Sequence, residues 1–375
     1  MCKDIYLDNA ATTRFKPRKA TNAVIKTFKS SANPGRSSHS SAISLALIIE
    51  ETRALISKHF GFSNVVFTKN CTEALNLAIF GSNLNGEVIT SVFEHNSILR
   101  PLKKLESEKK IKIRFVKPAS NEITVDEVIQ ILNSKTSAII LSEMSNVTGA
   151  IHEIEKIAKL AKENNVISII DTAQSLGHLY TLYENVNILC ASGHKGLHGP
   201  QGTGFLAFNE STRLNPLLYG GTGTMSISIE QPTSMIEGLE SGTLNTLGIA
   251  GLKEGIEWTM SHIEAVRKHI HELSYILISN LRNISGITIY SDNLSGVISF
   301  NIGELASTFV SDILSKKYNI SVRSGLHCAP LAHRHLGTLK QGTVRASIGW
   351  NNSINDIEKL ISAIKSIKYS KQSNV

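Results

Sequence analysis

Cysteine is scarce in this chain: Cys2, Cys71, Cys190 and Cys328 are the only four in 375 residues. So few, so widely spaced, do not make a disulfide framework, and a reducing compartment follows. No apolar run approaches the ~20 residues that cross a bilayer. The start, Met1-Cys2-Lys3-Asp4-Ile5, lacks the apolar core of a signal peptide, so a cytoplasmic location is expected. Aromatic residues make up only 6%, and no basic stripe interleaves with them, although Lys and Arg outnumber Asp and Glu by 39 to 31. That pattern reads as a basic surface rather than a nucleic-acid footprint, and it is compatible with an anionic cofactor or an acidic protein partner. Internal repeats and low-complexity linkers are also missing. What remains is a globular composition, 41% hydrophobic and 19% charged, in a chain long enough for two domains.

Two stretches organise the rest. Val166 to Ile170 is a strand-like apolar run that ends on Asp171-Thr172-Ala173-Gln174, and Val186 to Cys190 leads into Ser192-Gly193-His194-Lys195. Two parallel strands would deliver a carboxylate and an amine to the same edge of a sheet, the edge where open α/β sheets bind ligands. A lysine amine whose pKa is lowered by burial forms Schiff bases with carbonyls. An aldehyde cofactor such as pyridoxal phosphate needs that amine, together with a carboxylate facing its pyridine nitrogen. Lys195 and Asp171 suit those roles.

Along the chain, short apolar runs alternate with helical patterns: Val65 to Thr68, Glu87 to Val92, Ile111 to Val116 and Ala138 to Leu141 precede the two stretches above. Such alternation predicts a mostly parallel sheet covered by helices, an α/β fold. Helices are expected over 18–30, 41–60 with a stop at Gly61, and 73–79, with a turn-rich loop over 31–39. The turn Lys69-Asn70-Cys71-Thr72 before the third of these combines a strand end with a helix N-terminus, a ready anion site. Thr72 is either a phosphate ligand there or the helix cap. A long helix over 247–281 is expected to lead into a smaller α+β unit. That unit has strands at 287–290, 297–301 and 343–348, a helix over 305–317, a loop around Cys328 and a final helix opened by Ser353 and Asp356. The expected domains are an N-terminal segment over 1–15, a large domain over 16–250 and a small one over 251–375.

Taken together, Tyr6-Leu7-Asp8-Asn9-Ala10-Ala11-Thr12-Thr13, Ser192-Gly193-His194-Lys195 with Gly199-Pro200 and Gly202-Thr203-Gly204, and Arg323-Ser324-Gly325-Leu326-His327-Cys328-Ala329-Pro330 closely resemble one family. It is the cysteine desulfurases, in the class V aminotransferase-like branch of fold-type-I pyridoxal-phosphate enzymes. The resemblance runs from Tyr6 to Ser347 and implies a homodimer that takes sulfur from L-cysteine and passes it to an acceptor protein. It implies Lys195 as the Schiff-base lysine, Asp171 as the partner of the pyridine nitrogen and His95 as the ring that stacks on the cofactor. Asn146 and Gln174 resemble contacts of its phenolic oxygen. Thr72, Ser192 and His194 fall on phosphate-binding positions, with Cys71 offering only its backbone N–H. Thr243 falls on the position that reaches into the partner's site. Asn9, Ala10, Asn146, Arg323 and Arg345 are the implied substrate contacts, Arg345 pairing with the α-carboxylate as a guanidinium fork can. Cys328 sits where the family keeps its persulfide-forming nucleophile. Leu326 stands where a His is common, and Gly238 where many relatives carry Arg.

The reactive form of Cys328 is the thiolate, which cationic neighbours favour, and Arg323, His327, His333 and Arg334 are close in sequence. Three other readings share some of these residues. A selenocysteine lyase would use nearly all of them, an aminotransferase would use Lys195, Asp171 and Arg345 without Cys328, and a metal carrier would use His327, Cys328, His333 and His335. No metal site is expected, because that spacing matches no zinc pattern.

Overall fold

A computed structural model describes residues 4–34, 38–179, 181–232, 236–291 and 293–372. Cys2 and the middle of the expected 31–39 loop lie outside them, as does the end of the tail. In chain order the strands are β1 (Ile5–Tyr6), β2 (Asn64–Thr68), β3 (Gly86–Ser91), β4 (Ile111–Val116), β5 (Thr136–Ser142), β6 (Ile167–Asp171), β7 (Ile188–Ser192) and β8 (Gly204–Phe208). They continue with β9 (Ile287–Ile289), β10 (Val297–Ile302), β11 (Ile320–Ser321), β12 (Arg323–Gly325) and β13 (Thr343–Ser347). The helices are α1 (Arg18–Lys29), α2 (Ser40–Phe60), α3 (Cys71–Gly81), α4 (Asn96–Ser107), α5 (Val125–Ile129), α6 (Ile154–Glu163), α7 (Thr246–Arg282), α8 (Ser307–Tyr318), α9 (Pro330–His335) and α10 (Ile354–Gln372).

Seven strands form the central sheet in the order β2-β8-β7-β6-β5-β3-β4. All neighbours pair in parallel except at β8, which is antiparallel to both β2 and β7. Side chains alternate across this sheet, as the period of a strand requires. On one face Ile139, Leu141, Ile170, Leu189 and Phe205 pack with Ile56 of α2, Ile157 of α6 and Leu252 of α7. On the other, Ala138, Ile140, Ile169, Ile188 and Leu206 pack with Leu75 of α3 and Leu102 of α4. Both faces are dry, which is why these strands read as unbroken apolar runs. The parallel strands β5, β6 and β7 end together on Ser142, Asp171 and Ser192, with Ser142 opposite Asp171 and Asp171 opposite Cys190.

A second sheet, β12-β13-β10-β9, is antiparallel throughout. Its core takes Ile298, Phe300 and Val344 from the sheet, Leu360 and Ile364 from α10, and the later turns of α7 from Val266 to Leu281. Helix α7 therefore serves both cores, and residue 251 lies inside it rather than between units. The N-terminal segment joins the second core as well. Ile5 and Leu7 are buried in it, β1 pairs in parallel with β11, and Leu7 O accepts the Ser347 amide at 2.7 Å.

Local rules explain the element ends. Gly61 closes α2 in the left-handed region at φ 79°. Ser353 and Asp356 bond each other's amides in the expected capping box of α10. Helix α3 starts two residues earlier than its apolar pattern suggests, because Asn70, not Thr72, is the cap: its Oδ1 accepts the Glu73 amide at 2.9 Å. Thr72 thus keeps its hydroxyl free of capping duty. Gly204 sets the position of that turn. A Cβ there would stand 2.7 Å from the carbonyl carbon of Asn70 and 2.8 Å from the carbonyl oxygen of Ala191, both backbone. Gly204→Ala is expected to cost about 1–3 kcal/mol of stability, seen as a lower midpoint in a denaturant titration. An unchanged midpoint would mean that the turn moves freely off β8.

Candidate active site

Cys71, Thr72, His95, Asn146, Asp171, Gln174, Ser192, His194 and Lys195 line one cavity at the carboxyl edge of the central sheet. The location is the one the topology favours for a ligand. Lys195 lies three residues beyond β7, on a turn tied down by the N-terminal segment. Thr13 donates through Oγ1 to the Lys195 carbonyl, and Lys16 Nζ donates to the His194 carbonyl at 2.8 Å. Thr12 Oγ1 lies 3.0 Å from His194 Nδ1. Burial lowers the pKa of the Lys195 amine, against the opposing pull of Asp171.

Asp171 is 5% exposed. Its Oδ1 accepts the Ala173 amide at 2.8 Å and the Cys71 thiol at 3.3 Å. Cys71 was expected to offer only its backbone to a phosphate; the side chain instead turns toward β6, since a buried Sγ at the first position of α3 faces the sheet. Burial, then Asp171, pushes the Cys71 thiol well above its usual pKa, which keeps it a neutral donor.

Other parts of the cavity lining are polar. Ser192 Oγ is buried and has no hydrogen-bond partner among the described residues. Thr72 Oγ1 lies 2.8 Å from Ser97 Oγ, and α3 opens on the same space. A buried hydroxyl without a partner, a second hydroxyl and a helix N-terminus fit an anionic group such as a phosphate. His95 caps α4: its Nδ1 accepts the Ser97 amide at 3.0 Å, which assigns the proton of the neutral ring to Nε2. Burial takes its pKa down to about 4, so the ring is neutral near pH 7.

Cys328 is exposed and lines an adjoining groove that shares Thr72, His95 and Ser97 with the cavity. His327 and Cys328 both sit in the left-handed region, at φ 48° and 58°, a conformation that costs about 1 kcal/mol or more per non-glycine residue. Their carbonyls are held by the cavity wall. Asn146 Nδ2 donates to His327 O at 2.7 Å, and the Asn96 amide to Cys328 O at 2.7 Å.

The histidines of this loop are not the cations that proximity suggested. His327 is buried with Nε2 3.0 Å from Thr343 Oγ1, and burial takes its pKa to about 2. His333 is buried beside Thr338, with a pKa of about 4. Both are neutral supports of the loop. The local positive charge comes from Arg345 and Arg323, which face each other across β13 and β12. Arg345 is 2% exposed; it donates to Asn146 O at 2.9 Å and to Asp8 Oδ1 at 3.2 Å. Among the described residues no group of three His, Cys, Asp or Glu is arranged to hold a metal, and no helix is long and apolar enough to cross a membrane.

The family described as Aminotransferase class-V matches residues 5–360. The chain belongs to that family. Within it, the chain is 32% identical to a probable cysteine desulfurase of Methanothermobacter thermautotrophicus, over 97% of this chain and 94% of the relative. It is 31% identical to one of Pyrococcus abyssi, over 99% and 96%. The solved apo structure of a cysteine desulfurase from Thermococcus onnurineus NA1 superposes with a TM-score of 0.92 at 30% identity, covering 98% of this chain and 95% of that one. The class V aminotransferases and the cysteine desulfurases are pyridoxal-phosphate-dependent families.

Six of the expected positions do not line the cavity of this class V protein: Cys328 is on the adjoining groove, Arg323 and Arg345 pair on β12 and β13, and Asn9, Ala10 and Thr243 are engaged elsewhere. Asn9 spends its side chain on Ser347 O, Asn352 Oδ1 and the Arg14 amide. Ala10 reaches the site only through its carbonyl, which accepts from Gln174 Nε2 at 3.0 Å. Thr243 lines a separate groove with Glu240 and Gly242. Residues missed by the sequence reading include Ser97, Ser142 and the Thr12, Thr13 and Lys16 contacts. Only Ser97 had a local signal, a serine two positions after a strand-end histidine at the start of a helical pattern. Glu94, missed too, is fully buried between β3 and β5, accepting from Ser91 Oγ at 2.6 Å and from the Ser142 amide at 2.8 Å, with its pKa pushed up to about 7 by burial.

Proposed function

We propose that this chain is a pyridoxal-phosphate-dependent cysteine desulfurase that converts L-cysteine to L-alanine and takes the sulfur onto Cys328 as a persulfide. The observation that carries the reading is the placement of Lys195 and Asp171 in one cavity, with Cys328 on the adjoining groove and His95 lining both. Thr72, Ser192, His194 and the start of α3 would hold the phosphate, Asp171 the ring nitrogen, His95 the ring face, and Asn146 and Gln174 the phenolic oxygen. Bound there, the cofactor supplies an electron sink for charge developing at the substrate α-carbon.

The chain's own groups do the rest. Arg345, with Arg323 beside it, docks the substrate carboxylate. The lowered pKa of Lys195 leaves its amine free to take the α-proton at Nζ. Cys328 Sγ attacks the substrate sulfur, an S–S bond forms as the Cβ–S bond breaks, and Cβ takes up a proton to give L-alanine. Cysteine and one thiol thus become alanine and one persulfide, with no other reactant. Exposure of Cys328 supports delivery to an acceptor protein. A homodimer is part of the reading, with Thr243 completing the partner's site. Exposed Leu218, which lines a groove with Thr243, and exposed Tyr219, Met225, Ile227 and Ile229 after it in sequence support it.

The test is alanine formed from L-cysteine by the cofactor-loaded protein and by Cys328→Ala, with a thiol reductant as acceptor. Wild type is expected to turn over and the variant to lose about a hundredfold or more, as when a nucleophile is removed. Equal alanine from both would remove Cys328 from the reaction. No alanine from either would end the cysteine assignment.

A further inference from the structure

Cys71 occupies the first position of α3, where an open helix end faces the cavity, yet its sulfur does not face that end. It is buried, and Sγ approaches Asp171 Oδ1 at 3.3 Å, the same oxygen that accepts the Ala173 amide. Among the described residues nothing donates to Oδ2, and Asp171 lines the cavity, so Oδ2 is the oxygen left for a ligand there. A carboxylate pivots easily about its last torsion, which has broad wells. One amide alone would leave it free to swing; a second donor on the same oxygen fixes its plane.

We propose that Cys71 is a positioning residue: its thiol, with the Ala173 amide, occupies Oδ1 of Asp171 and aims Oδ2 at the ring nitrogen of the cofactor. This rests on the reading of the cavity as a pyridoxal-phosphate site. The thiol suits the task chemically. It is a weak donor, so it orients the carboxylate while withdrawing little of the negative charge that must hold a ring proton. The neutral state follows from its surroundings, since burial and the Asp171 charge both oppose a thiolate. The other ionisable groups that act on Asp171 come from every side: Cys190 on β7, Lys195 beyond it, His95 at the head of α4 and Glu94 just before. None of these hydrogen-bonds the carboxylate; Cys71 does.

The experiment compares the holoenzyme with Cys71→Ala and Cys71→Ser, following the visible absorption band of the bound cofactor against pH and the split between kcat and KM for L-cysteine. In Cys71→Ala the band's pH midpoint is expected to move by about half a unit or more, and kcat to fall about three- to tenfold with KM unchanged. Cys71→Ser, which keeps a donor, should recover most of both. A midpoint and a kcat that stay put in a folded, cofactor-saturated Cys71→Ala overturn the proposal. So does a serine variant that behaves like alanine. A second arm does not depend on those variants folding. In the cofactor-free protein, Asp171→Asn should raise the alkylation rate of Cys71 by a neutral reagent about tenfold, one pKa unit of thiolate, read on its peptide by mass spectrometry. An unchanged rate would deny the thiol–carboxylate contact. The absence of any visible band in wild type would overturn the cofactor reading and this role with it, whereas a band present and unmoved in Cys71→Ala overturns this inference alone.

Discussion

Lys195→Ala is expected to lower alanine release from L-cysteine by about a thousandfold or more, and borohydride should no longer fix the cofactor to the chain. Two features of the site lead to this. The Lys195 turn is held from outside by Thr13 and Lys16, so deleting the amine leaves the turn in place. Asp171 then retains Cys71 and the Ala173 amide, so the cavity wall survives. What is lost is the one amine in the cavity whose surroundings favour the neutral, proton-accepting form. Lys195→Arg should not rescue the rate, because a guanidinium stays protonated and cannot take a proton. Circular dichroism and thermal unfolding near wild type would show that both variants fold. A residual rate within tenfold of wild type would move the proton transfer to another group.

The strands that carry the site were legible because their signal is local. Val166 to Ile170 and Val186 to Cys190 are apolar on both faces, as strands between two helical layers must be, and the polar residue that follows each marks the sheet edge. Asp171 and Lys195 could thus be paired before any contact was known. The direction of a side chain on a turn is a tertiary property, and there the sequence was silent. Cys71 faces Asp171 because Asn70 caps α3 and Gly204 lets β8 press against that turn. His327 and His333 looked like cations for Cys328 but are neutral, because each is buried against a threonine that supplies one hydrogen bond and no charge. Strands β1 and β11 are two residues each and 315 positions apart in register, Ile5 opposite Ile320. No window of sequence carries such a pairing. The same holds for Arg323, read as part of a loop and found on β12 opposite Arg345.

That pairing shapes the second large effect, at Arg345. The guanidinium is buried, and its two contacts, Asn146 O and Asp8 Oδ1, use one terminal nitrogen each. Nε has no partner. Burial lowers the pKa to about 10 against the support of Asp8, so the group is still charged at neutral pH, with hydrogens left to offer a carboxylate. Arg345→Lys keeps the charge and loses the fork. A charge-assisted bond is worth about 1.5–3 kcal/mol, so KM for L-cysteine should rise about ten- to a hundredfold, with kcat falling less. Arg345→Ala removes the packed side chain as well and should also lower the melting temperature, which separates the structural share from the binding share. The lysine variant is therefore the decisive one. If its KM stays within twofold of wild type, the substrate carboxylate is held elsewhere, and Arg323, its neighbour across the ladder, is the group to change next.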